Sequence, residues 1–345
     1  LQPRLNRLRP IILVYPGYAG RILRLWHNSR MKNKGNQHLT EWFRQSSAYI
    51  QAHRGKTFVI CLPGEAIISD NCNRLLRDLA QISHLGIRLV LVHGIRPQIE
   101  SCLGKHPSSY MDDIRITDDA AMTCVKQVAG SVRLDIESQL SRALANLPVP
   151  GAQARTASGN YVTARPYGVH DGVDYFHTGV VRKVDTTAIV HQLNLGAICV
   201  ISPVGFSPSG EMFNLAAEEV AEAVACSLGA NKLIIFTDKA TIRDSKRRMI
   251  HQLTQHEAKS LLLGKRKLPA AVRRLLEISI QTTELGVRRV HILDWHQNGA
   301  IIQELFTRDG VGTLVSAEPY DTIRPARTED IPGILQIIEV LEASG

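Results

Sequence analysis

Residues 57–103 read TFVICLPGEAIISDNCNRLLRDLAQISHLGIRLVLVHGIRPQIESCL, and the order of periodicities within them decides the fold class. Thr57–Leu62 is an uninterrupted apolar run of strand length, the pattern of a strand covered on both faces. Asn71–His84 then spaces its apolar residues three and four apart, which is the helical period, and Ile87–His93 is a second apolar run. Pro97–Leu103 reads as a short helix. A strand, a helix and a strand in this order form a βαβ unit, the building block of a parallel sheet.

The alternation extends in both directions. Upstream, Thr40 is a suitable N-cap for a helix running to about His53, with Trp42, Phe43, Tyr49 and Ile50 as its apolar positions. Downstream come a long helix, Asp118–Asn146, and then Ala152–Val184, rich in Gly, β-branched and aromatic residues, which reads as antiparallel strands or hairpins. Helices are expected at Asp185–Leu195, Ala216–Leu228, Gln255–Leu262, Pro269–Leu285 and Ala300–Phe306. Strands are expected at Ala197–Ser202, Lys232–Thr237, Arg289–Leu293 and near Thr313–Val315. The fold class is α/β, a mostly parallel sheet sandwiched by helices.

With 345 residues, 44% of them hydrophobic, the chain can bury a sizeable core, and no apolar run approaches the ~18 residues of a membrane-spanning helix. The net charge of +9 sits at one end. Residues 1–40 hold eight basic side chains (Arg4, Arg7, Arg9, Arg21, Arg24, Arg30, Lys32, Lys34) and no acidic one. Removing those eight from the 41 basic residues leaves 33 against 32 acidic ones, so the body is close to neutral and its charge supports no nucleic-acid or membrane partner. Residues 1–30 fit a transit peptide, a weak secretory core, or sequence upstream of a start at Met31. The six cysteines (Cys61, Cys72, Cys102, Cys124, Cys199, Cys226) include no CxxC and read as buried free thiols, which suits a reducing cytoplasm.

In open α/β sheets ligands bind beyond the carboxyl ends of the strands. The first two such exits are Cys61-Leu62-Pro63-Gly64-Glu65 and His93-Gly94-Ile95-Arg96-Pro97-Gln98. A phosphate cradle needs successive glycines so that backbone N–H groups can face the anion, usually with a Lys nearby. Each exit has one glycine and no Lys, and Pro63 removes a donor, so by themselves they read as ordinary strand-to-helix turns.

TEWFRQSSAYIQAHRGKTFVI (40–60), LGIRLVLVHGIRPQI (85–99), DGVDYFHTGVVRKVD (171–185), SPVGFSPSGEMFNLAAEEVA (202–221), GVRRVHILD (286–294) and ELFTRDGVGT (304–313) resemble, in order and spacing, the amino-acid-kinase-like domain of the N-acetylglutamate synthases. RPARTEDIPGILQIIE (324–339) resembles the first strand and helix of the GNAT acetyltransferase domain that follows in that family. The resemblance implies an amino-acid-kinase (acetylglutamate kinase-like) fold and three parts: a basic segment 1–38 outside the fold, a regulatory domain 39–318, and the start of a truncated α+β GNAT domain at 319–345. It implies acetyl transfer from acetyl-CoA to L-glutamate, giving N-acetyl-L-glutamate at the first step of arginine biosynthesis. No catalytic residue and no metal site is expected within this chain, and no cofactor of its own, acetyl-CoA being the family's acyl donor.

The sister kinases carry a Lys in the first strand, then a Gly pair, and a Gly triplet after the second strand. Cys61 stands at the Lys position, Pro63 beside Gly64 at the pair, and Ile95 and Arg96 after Gly94 at the triplet. Asn214 matches a substrate-binding Asn, and Glu218 replaces a metal-organising Asp. A thiol cannot neutralise a γ-phosphate, so these positions read as a degenerate kinase site. The resemblance further implies an arginine effector site built from Tyr49, Lys232, His291, Glu304, Gly310 and Gly312. Glu304 would pair with a guanidinium or ammonium, backbone carbonyls near the two glycines would finish the cage, and Lys232 would contact the ligand's carboxylate. Without the resemblance, Glu304 reads as a solvated helix residue and the glycines as a turn. The N-terminal helix either interlaces with a second copy, giving a homo-oligomer, or packs on its own subunit. Two other readings stand beside the synthase: a non-catalytic arginine-binding regulator and an active acetylglutamate kinase.

Overall fold

The computed structural model describes residues 44–317 apart from 107–108, 147–154, 239–241, 245, 247 and 265–266, together with Thr40, Trp42 and Ile338. Phe43 and the segments 1–38 and 319–337 lie outside the described residues, as do residues 339–345. Helix α1 (44–53) leads into an eight-stranded sheet in which strand β1, Thr57–Leu62, lies near the centre. From one edge the order is β14 (Gln252–Thr254), β16 (Thr313–Ser316), β15 (Arg289–Asp294), β13 (Lys232–Thr237), β1, β2 (Arg88–His93), β10 (Ile198–Ile201) and β5 (Thr156–Ala157).

The unbroken apolar runs follow from burial on both faces, with alternate side chains entering two cores. Phe58, Ile60 and Leu62 join Leu89, Leu91, Ile234 and Phe236 on one face, covered by α3 (Cys72–His84), α5 (Asp119–Ala145) and α10 (Ala300–Phe306). Val59 and Cys61 join Val90, Val92, Leu233, Ile235 and Ile292 on the other, covered by α6 (Thr186–Asn194), α7 (Ala217–Ser227) and α9 (Ala270–Glu284). Local capping agrees with these boundaries. Asp118 accepts the Ala121 N–H, Asp185 accepts the Ala188 N–H, and Thr254 with Glu257 forms a capping box on α8 (Gln255–Leu263).

Three features depart from the sequence reading. Within the stretch read as antiparallel, β6 (Val162–Pro166) and β9 (Gly179–Val184) do pair antiparallel, but β5 joins the main sheet parallel to β10. Strand β16 runs antiparallel to β15, with Thr313 beside Ile292 and Ser316 beside Arg289. The seven-residue α10, roughly 10 Å long at 1.5 Å per residue, and the loop after it return the chain to the carboxyl end of β15. The third departure concerns the thiols. Cys61, Cys72 and Cys199 are buried and free, as expected, and Cys226 is free and half-buried. Cys102 on α4 (Arg96–Leu103) and Cys124 on α5 instead form a disulfide, because the adjacent helices bring their Cα atoms to 5.8 Å. Periodicity also passed over the shortest elements: α2 (Gly64–Ile68), the hairpin β3–β4 (Ser109–Met111, Ile114–Ile116), and β11 (Val204–Phe206) with β12 (Met212–Asn214).

Among the described residues no helix is long and apolar enough to cross a membrane. Alkylation after unfolding without reductant is expected to label four thiols per chain, the free set named above, and six after reduction. Intact-mass measurement distinguishes this from six in both conditions, which would remove the bridge.

Candidate functional site

Two assemblies of polar groups lie at different places on the sheet. The first is a cavity of about 280 Å³ beyond the carboxyl ends of β1, β2 and β13. Pro63, Gly64, Gly94, Ile95, Arg96, Asn214 and Glu218 line it, which brings together seven of the eight positions read as a degenerate kinase site. The eighth, Cys61, is buried in the core on the α7 side, where burial, followed by the charge of Glu218, pushes its thiol up.

The two exit loops close against each other. Gly94 N–H donates to the Leu62 carbonyl at 2.7 Å, and Gln98 Nε2 donates to the Gly64 carbonyl at 2.9 Å. A Cβ on Gly94 would lie 2.8 Å from Gly64 N, and one on Gly64 would lie 2.6 Å from Pro97 Cδ. These glycines are therefore required for loop-to-loop contact. The cations at the rim are neutralised: Arg96 by Asp113 (2.7 Å), Arg115 by Glu100 (2.6 Å) and Arg274 by Glu219 (3.0 Å). Asn214 donates to Thr117 Oγ1 at 3.1 Å. No lysine occurs among the described residues lining the cavity.

The second assembly is a buried row. Lys232 opens β13, His291 sits on the neighbouring β15, and Glu304 projects from α10. His291 Nδ1 lies 2.6 Å from Glu304 Oε1, and its Nε2 lies 2.9 Å from Lys232 Nζ. A carboxylate only accepts, so Nδ1 carries the imidazole hydrogen and Nε2 accepts from Lys232. The other carboxylate oxygen, Oε2, accepts from the N–H groups of Val311 (2.7 Å) and Gly312 (2.9 Å). Gly310 adopts φ +62°, and a Cβ there would lie 2.6 Å from Glu304 Oε2. A Cβ on Gly312 would lie 2.5 Å from the Ile292 carbonyl, so both glycines let the loop close over the carboxylate.

Electrostatics follow from this geometry. Burial alone would raise Glu304, but the His291 hydrogen bond and the two amides outweigh it and hold the carboxyl down at about 2. Burial, then the charge of Lys232, lowers His291 to about 4, so it is neutral at pH 7. Burial, then Arg289, lowers Lys232 to about 7. The reading of Glu304 as a solvated residue is thereby corrected: its side chain is 5% exposed and forms the centre of the row. Among the described residues no group of three or more His, Cys, Asp or Glu is arranged to hold a metal ion.

Tyr49 lies on α1, half-buried against the hydrophobic cluster containing Leu305 and Phe306. Two residues that the sequence reading did not nominate join it. Ser46 Oγ donates to the Phe306 carbonyl at 3.0 Å, and His53 Nε2 lies 3.0 Å from the Leu305 carbonyl, to which it must donate. Ser46, Tyr49, Ile50 and His53 are the buried or half-buried positions of α1 and share one helical face. That spacing was visible in the sequence, although two members are polar. The face packs on its own subunit, while Trp42 remains 39% exposed.

Residues 56–294 match the amino acid kinase family. The chain is 44% identical to the amino-acid acetyltransferase of Azotobacter vinelandii over 307 residues, spanning 88% of this chain and 70% of that protein. Identity to the amino-acid acetyltransferase of Pseudomonas fluorescens is also 44%, over 309 residues. In three dimensions it is similar to N-acetylglutamate synthase from Neisseria gonorrhoeae complexed with coenzyme A and L-arginine. That match has a TM-score of 0.76 and 35% identity, over 87% of this chain and 70% of that one. Carbamate kinase from Giardia lamblia, at 14% identity and a TM-score of 0.56, shares the fold.

Two substitutions test the two assemblies. Gly94→Ala places a methyl group against backbone that cannot yield and is expected to cost about 1–3 kcal/mol in urea unfolding. Glu304 is held below its unfolded value of 4.5, so the stability it contributes is complete above pH 4.5 and is lost as pH falls toward 2. Glu304→Gln is expected to be less stable by on the order of 3 kcal/mol at pH 7, and the gap from the wild type should close between pH 4.5 and 2. Urea titrations across that range check it, and a pH-independent gap would contradict the assigned environment.

Proposed function

The chain belongs to the amino-acid acetyltransferase (N-acetylglutamate synthase) family, and on that footing we propose that its kinase-like domain is the arginine-sensing regulatory part of such an enzyme. The single observation that carries this reading is the buried Lys232–His291–Glu304 row closed by the 310–312 loop. The row ends in a carboxylate on one side and an amine on the other. Three of roughly four acceptor positions on Glu304 are filled, leaving one for a guanidinium or ammonium hydrogen. Lys232 uses one donor on His291, and a ligand carboxylate would take another and restore the charge that burial disfavours. A zwitterionic amino acid with a second cationic group matches both ends.

In this reading acetyl transfer from acetyl-CoA to L-glutamate belongs to an acetyltransferase domain that begins at 319–345, and no residue of 44–317 is assigned a catalytic step. The carboxyl-end cavity supports the loss of kinase chemistry: its loops are shut on each other by Gly64 and Gly94, and its three arginines are paired. Phosphoryl transfer relies on free cations and an open cradle. A homo-oligomer, and a cytoplasmic location, belong to the same proposal.

Calorimetric titration of the chain with L-arginine, alongside L-ornithine and Mg-ATP, tests the assignment. Saturable binding selective for arginine is expected, and Glu304→Ala should abolish it. The complex should also take up protons above pH 7, seen as a dependence of the enthalpy on the buffer, because a bound carboxylate raises Lys232 from about 7. ATP binding with turnover would move the chain to the kinases, and a folded protein that binds neither would end the sensor role.

A further inference from the structure

Four of the six cysteines are withdrawn from solution chemistry. Cys61, Cys72 and Cys199 are buried and Cys226 is half-buried. Burial pushes the thiols of Cys72 and Cys226 up to about 11 and that of Cys199 to about 12, so almost no reactive thiolate exists there at pH 7. The bridged pair differs. Cys102, next to last in α4, is exposed, whereas Cys124, in the second turn of α5, is 8% exposed. A bridge with one half at the surface and the other in the core is open to a solute from one side. Cys102 Sγ also lies 3.8 Å from Gln127 Oε1, one turn along α5 from Cys124. A freed Cys102 thiol therefore finds an acceptor already in place, and the same helix packing accommodates the open pair.

The two cysteines stand 22 residues apart in the chain, and the bridge encloses the β3–β4 hairpin. That hairpin carries Tyr110, Asp113, Ile114 and Arg115 on one wall of the carboxyl-end cavity. Helix α4 also holds the hairpin by the ion pairs Arg96–Asp113 and Glu100–Arg115, in which only Arg115 is buried. Exposed ion pairs contribute little and are screened by salt, so the covalent tie is the firm one.

We propose that Cys102 and Cys124 are a redox modification site, opened and closed by thiol–disulfide exchange with low-molecular-weight thiols and their disulfides, and that the bridge sets how firmly the cavity wall is held. In opening, a solute thiolate attacks Cys102 Sγ, the S–S bond breaks, and Cys124 leaves as a thiolate that takes up a proton. A second solute thiolate then attacks the mixed disulfide on Cys102, releasing the Cys102 thiol and the oxidised solute. Two solute thiols thus give two electrons and two protons to the pair and become one disulfide. Closing runs the same steps backwards, and Cys124, its Cα 5.8 Å from that of Cys102, is in place to displace the solute. This chemistry is independent of the effector pocket.

Glutathione buffers of stepped reduced-to-oxidised ratio, applied to the folded full chain before acid quench, alkylation and peptide mass mapping, test this. The pair is expected to pass from bridged to open across the series while the other four cysteines stay unmodified. Cys124→Ser should accumulate glutathione on Cys102, and Cys102→Ser should carry about tenfold less on Cys124. Reduction should lower the melting temperature by about 5 °C, the effect of freeing a loop of this length in a chain of this size. It should also speed amide exchange in 109–116 about tenfold, more so in high salt, and leave 252–254 and 313–316 unchanged. If Cys124→Ser does not fold, Cys102→Ser, at an exposed position, supplies the open state, and glutathione trapped on wild-type Cys102 by rapid quench replaces the first readout. A bridge that persists in excess reduced glutathione, or a pair that stays open in excess oxidised glutathione, would overturn the exchange. Glutathione on Cys124 in preference to Cys102 would overturn its direction, and equal hairpin exchange in the two states would overturn control of the wall.

Discussion

The Glu304 carboxylate is the constraint on which the rest of this region depends. A carboxylate at 5% exposure is tolerable only if its lone pairs are filled. Two elements supply three donors: β15 through His291, and the loop leading into β16 through the amides of Val311 and Gly312. The helix bearing the carboxylate is itself secured by α1. Removing the carboxylate group would leave two amides and an imidazole hydrogen without acceptors, so the requirement runs in both directions. That mutual dependence explains why a seven-residue helix, too short to be stable by propensity, holds one orientation.

The carboxyl end of the sheet has a different logic. Its loops meet backbone to backbone, and its cations are matched by carboxylates from the β3–β4 hairpin, α4 and α7. Its arginines are thus satisfied within the chain, although Trp295 Nε1, on the cavity lining, is buried without a hydrogen-bond partner. The row, by contrast, leaves Lys232 with donors in excess and with its charge disfavoured by burial. One fold thus carries a cavity whose arginines have found partners within the chain, and a buried row that leaves Lys232 with donors in excess.

Most of the architecture was legible because burial on both faces writes itself into composition. Thr57–Leu62 and Lys232–Thr237 have the same limits in sequence and structure, since a central parallel strand needs an unbroken apolar run and little else. Strand β5 was misread because two residues carry no period, and the bridge between Cys102 and Cys124 was missed because it depends on how two helices lie side by side. At the site, the residues named by resemblance do converge, except that Tyr49 lies on the flanking helix. Ser46 and His53 escaped notice for a physical reason. A serine and a histidine on an apolar face read as interruptions until the carbonyls they cap are seen, and those carbonyls lie 252 and 260 residues away in the chain.

The reversal of β16 gives this convergence its topological basis. A parallel β16 would begin at the amino end of β15 and carry the 310–312 loop away from His291 and α10. Running antiparallel, it enters beside Ile292, which sets Gly312 against the strand that bears His291. The contact admits no Cβ, so the glycine and the strand direction are two expressions of one requirement. The loop must reach back over the carboxylate of the helix that has just ended. Gly310, in the left-handed region, makes the turn, and Gly312 makes the approach. The antiparallel strand at an otherwise parallel edge is therefore the price of closing the row, and its pairing with β15 holds the loop amides on Glu304.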